Sequence, residues 1–111
     1  MGDLLDYNKA LARIGGDADF LKELLSDLAD QIDDNVEILE KSIHGEDYEN
    51  LKTLAHGLKG VSANLNVDRL AGHFYQLEQL AANKTTEGGP DLLKSILQDR
   101  AELGQFINNF D

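Results

Sequence analysis

From Phe20 onward the apolar residues fall at Phe20, Leu21, Leu24, Leu25, Leu28, Ile32, Val36, Leu39 and Ile43. Spacings of three and four repeat, which places them on one face of a helix turning about 100° per residue. Gly15 and Gly16 close a short helix before this segment, because glycine takes the left-handed conformation cheaply, and Asp17 is placed to cap the long one. At 1.5 Å per residue the stretch from Asp17 to Ile43 would measure roughly 40 Å, which makes it one arm of an antiparallel helical hairpin. His44, Gly45 and Glu46 form the next break, and Asp47 caps a helix running to about Leu65. Asn66 follows it as a left-handed closing residue. Asp68 is then predicted to cap a helix with a stripe at Leu70, Ala71, Phe74, Leu77, Leu80 and Ala81. Asn83 to Pro90 reads as a connecting loop, with Pro90 suited to the first turn of the last helix. That helix carries Leu92, Leu93, Ile96, Leu97, Leu103, Phe106, Ile107 and Phe110. No strand-like alternation and no internal repeat is evident. The prediction is an all-α chain, one domain over residues 1–111. Its expected architecture is an antiparallel up-down-up-down four-helix bundle with a short extra N-terminal helix, because short turns make consecutive helices antiparallel.

Composition narrows what such a bundle does. With 111 residues, 41% of them hydrophobic, the chain can build one core and has little room for two. Ten Lys and Arg against 21 Asp and Glu leave a formal charge of −11, which repels phosphate backbones and anionic lipid. Neither nucleic-acid binding nor membrane insertion is therefore expected. The absence of cysteine removes disulfides and thiolate chemistry and fits a cytoplasmic protein. Reactivity must come from His, Lys and carboxylates.

The segment from Leu51 to Leu65 departs from an ordinary amphipathic helix. Leu51, Leu54, Ala55, Leu58, Val61, Ser62 and Leu65 project to one side. Lys52, His56, Lys59, Gly60 and Ala63 gather on the other, where this chain elsewhere places Glu and Asp. A glycine inside a helix costs about 0.5–1 kcal/mol relative to alanine, a cost tolerated where something must approach the backbone closely. Gly60 and Ala63, one and two turns beyond His56, clear a flat track beside the imidazole. Lys59 places a cation next to it. An exposed nucleophilic ring, a neighbouring ammonium and an open approach suit a phosphoryl acceptor. His44 and His73 have no such company and read as ordinary solvated side chains.

The run Ala55-His56-Gly57-Leu58-Lys59-Gly60-Val61-Ser62-Ala63-Asn64-Leu65 resembles the signature of histidine-containing phosphotransfer (HPt) domains, of the hybrid-kinase or stand-alone type. The resemblance reaches Leu70 and the Leu77-Glu78 pair, and upstream the segment from Ala10 to Asp17. The family usually has Gly where this chain has Asn66. Some members carry Gln at the position of Glu78, where it bonds the active histidine.

That resemblance implies a phosphorelay intermediate. His56 would take a phosphoryl group from an aspartyl phosphate on a receiver domain and pass it to another receiver's Asp. Lys59 would stabilise the group, Gly60, Ala63 and Lys52 would meet the partner, and Glu78 would orient the ring. The partners implied are response-regulator receiver domains or a hybrid sensor histidine kinase, with the receiver bringing Mg²⁺. The chain itself is expected to hold no metal or cofactor and to be a monomer. It would be a phosphoryl carrier rather than an enzyme, since it has no Gly-rich nucleotide loop or Walker-type Lys. A non-catalytic adaptor bundle is the alternative, disfavoured by the presence of both His56 and Lys59. A metal-binding bundle is weaker still, because no Glu-x-x-His pair occurs. Met1-Gly2 fits a free-standing protein or a domain of a larger kinase.

Overall fold

Three aspartates start helices by lending a carboxylate oxygen to a backbone N–H that the first turn leaves without a partner. Asp6 accepts from Lys9 at 3.1 Å, Asp17 from Phe20 at 3.0 Å and Asp47 from Asn50 at 3.2 Å. In the computed structural model, which describes residues 3–110, the helices are α1 (Tyr7–Arg13), α2 (Ala18–His44), α3 (Tyr48–Asn64), α4 (Asp68–Ala82) and α5 (Gly89–Asn108). Met1, Gly2 and Asp111 lie outside the described residues, and so does the reading made of Met1-Gly2. Asp68 is not the cap expected of it: Val67 holds that position, with no side-chain bond, and Asp68 falls in the first turn. The carbonyl of Leu4 does the cap's work, accepting from the Arg69 N–H at 3.3 Å.

The C-terminal ends of α1 to α4 share one design. The residue after the C-cap turns left-handed, and two backbone N–H groups fold back onto carbonyls of the last turn. Gly15, Glu46, Asn66 and Lys84 occupy that position, with φ of 83°, 54°, 56° and 55°. After α3, for example, Asn66 donates to Ala63 at 3.0 Å and Val67 to Ser62 at 2.9 Å. Asn66 therefore does what the expected glycine would do. At the start of α5 Pro90 sits in the first turn, as predicted; the helix begins at Gly89, within the segment read as a loop, and Gly88 is the cap.

The four long helices pack in a ring, α3 beside α4, α4 beside α5, α5 beside α2, and α2 beside α3. This is the predicted bundle. The 27 residues of α2 span nearly the whole 41 Å long axis. Leu21, Leu25, Leu28 and Ile32 of α2, Leu51 of α3, Phe74 and Leu77 of α4, and Ile96 and Leu103 of α5 are fully enclosed. Phe20 and Leu97, counted in the stripes from sequence, are instead 45% and 40% exposed. Each lies about 100° round the helix from an enclosed neighbour, Leu21 or Ile96, beyond the width that the adjacent helices cover.

Helix α1 lies across the end of the bundle where α3 finishes. Arg13 donates to the carbonyls of Ala63 (3.1 Å) and Asn64 (3.3 Å), and the Asp6 N–H donates to Asn66 at 2.9 Å. Tyr7 also meets Phe106 and Phe110 of the C-terminal end, with ring centroids 6.0 and 5.7 Å away. Among the described residues no helix is long and apolar enough to cross a membrane.

Candidate functional site

The pattern of α3 fixes which residues meet solvent. With Leu51, Ala55, Leu58 and Ser62 buried, Lys52, His56 and Ala63 are exposed, while Lys59 and Gly60 are half-exposed. The structure thus brings all five to one face. Around Gly60 there is open space: a Cβ built there would meet nothing within 4 Å. Among the described residues no packing requires that glycine, so its helix cost has no compensation there.

Glu78 comes from α4. It sits in core register with Phe74, Leu77 and Ala81, and it is only 8% exposed. A carboxylate at such a position needs partners. It has two, both from α3. Its Oε2 lies 2.8 Å from Nδ1 of His56, and its Oε1 accepts from Nζ of Lys59 at 2.7 Å. The hydrogen bond from Lys59 chiefly holds the Glu78 carboxyl below the usual carboxylate range; burial opposes that, and the bond to His56 adds to it. An ionised Glu78 accepts the proton of Nδ1, which leaves the lone pair of a neutral ring on Nε2. The His56 side chain is 68% exposed, so the ring is anchored at one nitrogen and open at the other side.

Lys59 is more engaged than the sequence implied. Besides Glu78, its ammonium lies 5.6 Å from the centre of the Tyr75 ring, a cation–π contact. Tyr75 is itself 51% exposed. The site is therefore a chain of contacts, His56 to Glu78 to Lys59 to Tyr75, on the α3–α4 flank.

A second set on the α4–α5 flank was not anticipated, and it corrects the reading of His73. Asp99 of α5 is 3% exposed; it accepts from Nε of Arg69 at 2.9 Å and shares a short hydrogen bond with Nδ1 of His73. Arg69 also pairs with Glu102 at 2.7 Å. His73 is thus not a solvated side chain; its ring is mostly covered between the two helices. The available signal was Asp99, a charge in register with Ile96 and Leu103, together with Arg69 and His73 four residues apart on one face. His44 is exposed, as expected. Among the described residues no three His, Asp or Glu side chains gather as a metal site.

A four-helix bundle presenting an anchored, outward imidazole beside a lysine and a glycine is the arrangement of a phosphotransfer domain. The family model "Hpt domain" matches residues 23–109, and the chain belongs to that family. It is accordingly a histidine phosphotransfer protein of a phosphorelay, a phosphocarrier whose interaction partners are receiver and kinase domains. The fold is similar to the crystal structure of histidine-containing phosphotransfer protein B (HptB) from Pseudomonas aeruginosa PAO1. The TM-score is 0.85 at 23% identity, over 98% of this chain and 95% of that one. A search of curated proteins found no significant match.

Proposed function

We propose that Nε2 of His56 is the phosphoryl acceptor. The observation that carries this reading is the 2.8 Å contact of Nδ1 with buried Glu78, on a ring whose other side is open. The lone pair on Nε2 attacks the phosphorus of a receiver's aspartyl phosphate. An N–P bond forms, the P–O bond to the aspartate breaks, and the carboxylate departs with its electron pair. Positive charge left on the ring is shared with Glu78 through the Nδ1 proton. In the onward step a second receiver's carboxylate attacks the phosphorus and the N–P electrons return to Nε2.

Lys59 lies within one carboxylate of the ring, and its ammonium turns to the incoming phosphoryl oxygens as they compete with Glu78. The bundle holds the nucleophile rigidly, while the receiver brings the carboxylates and Mg²⁺ that stabilise the transferring group. No ATP site of its own is required. The receiver meets Lys52, Gly60 and Ala63 as the chain's monomer presents them, with Tyr75 at the rim. The reading places the chain in the cytoplasm beside the receivers it serves.

The test is transfer from a phosphorylated receiver to the His56→Gln variant. Acid-labile, base-stable label should be lost while helicity is kept. Full labelling of that variant would assign the site to another histidine. Receiver binding without transfer to the unaltered protein would instead support an adaptor.

A further inference from the structure

Between α4 and α5 runs an open groove of about 550 Å³ that reaches Tyr75 at the edge of the His56 face. We propose that it docks a cationic, amphipathic helical segment of a partner protein.

The charged side chains of the groove favour a positive occupant, and Gln76, Gln79 and Ser95 add neutral polar groups. Glu87 and Asp91 line it, and no Lys or Arg does. His73 lines it too, with Nδ1 committed to Asp99. Tyr75 forms part of the wall, and its ring already attracts one ammonium, that of Lys59. Two carboxylates and an aromatic ring suit a guanidinium or ammonium group.

Leu80 and Leu92, both half-buried, supply the apolar part of the lining. A free small cation would leave that surface wet. A helix carrying apolar and basic residues at three- and four-residue spacing covers both kinds of surface at once, as a third helix does in the groove between two others. The walls are formed in advance, because Asp99 ties α5 to Arg69 and His73 of α4. The formal charge of −11 draws such a segment in from a distance.

The inference is independent of phosphorylation at His56, and its test uses the intact, unphosphorylated protein. The probe is a synthetic helical peptide with leucine on one face and lysine on the other, followed by backbone NMR. Shift changes should centre on Tyr75, Leu80 and Leu92. Affinity should fall about tenfold or more in an E87K/D91K variant, two exposed positions whose exchange leaves the core intact, and also fall in Tyr75→Ala. A counterpart peptide with Glu for Lys should not bind. Shifts centred on the acidic face of α2, around Asp27, Asp30 and Asp34, would overturn the proposal, as would unchanged affinity in both variants. Arginine amide binding as tightly as the peptide would overturn the protein-segment occupant in favour of a small cation.

Discussion

Glu78 serves two side chains with one carboxylate, so its removal separates them. Glu78→Gln keeps an oxygen for the Nδ1 proton of His56 but loses the ionic bond to Lys59. Because that bond is the main cause of the lowered carboxyl pKa, the sign of the pH effect follows. A carboxyl whose folded-state pKa lies below its ordinary 4.5 contributes stability fully above that value, and loses it as pH falls through the lowered one. Urea unfolding between about pH 3 and pH 7 should therefore show a smaller acid-side loss of stability in Glu78→Gln than in the parent; equal profiles would mean the Lys59 bond contributes nothing. At Gly60 the open surroundings allow a cleaner separation of folding from function. Gly60→Ala is expected to stabilise the chain by about 0.5–1 kcal/mol, and Gly60→Gln to slow receiver-dependent transfer while the melting temperature holds or rises. Unslowed transfer in Gly60→Gln would remove the close-approach argument.

Helices meet at polar seams as well as in the core. One is Glu78 of α4 with His56 and Lys59 of α3; a second is Asp99 of α5 with Arg69 and His73 of α4; Arg100 of α5 with Asp33 of α2 is a third, more exposed one. The second is the most enclosed at its carboxylate, and Asp99→Ala strands two donors there. Breaking a buried ion pair costs about 3–5 kcal/mol, and the lower end applies because Arg69 keeps Glu102 and both donors are partly wet. A loss of about 3 kcal/mol in chemical denaturation is the expectation, with Asp99→Asn losing less. The helices themselves were largely legible from sequence, since the stripe of α2 and the caps Asp17 and Asp47 are local features. Less legible were the turns at Glu46 and Lys84, which adopt the left-handed conformation without Gly or Asn. There the next helix dictates the path, and the cost of about 1–2 kcal/mol is offset by the two backbone bonds each turn closes.

The molecule as a whole carries far more negative than positive charge, and its repulsion opposes both folding and contact with acidic partners. Exposed pairs such as Lys41–Glu37 contribute at most about 1 kcal/mol each, so screening the global repulsion outweighs weakening them. Raising salt from about 0.01 to 0.2 M should lift the melting temperature by a few degrees and speed transfer with an acidic receiver; a fall in melting temperature would show that the local pairs dominate. Within this field the His56 face and the α4–α5 groove adjoin at Tyr75, which is common to both.

Periodicity, caps and charge determined by themselves that this chain is helical, where its long helices run, and that Lys52, His56, Lys59, Gly60 and Ala63 share one outward face. All of these depend on residues within a few turns of each other, where spacing along the chain is spacing in space. The engagement of Lys59 with Glu78 and Tyr75, the covering of His73 by Asp99 and the exposure of Phe20 and Leu97 were decided only when the helices packed. Partners 19, 22, 26 and 30 residues apart in the chain meet through the rotation of one helix against another. That rotation depends on how whole helical surfaces interlock, which no local pattern specifies.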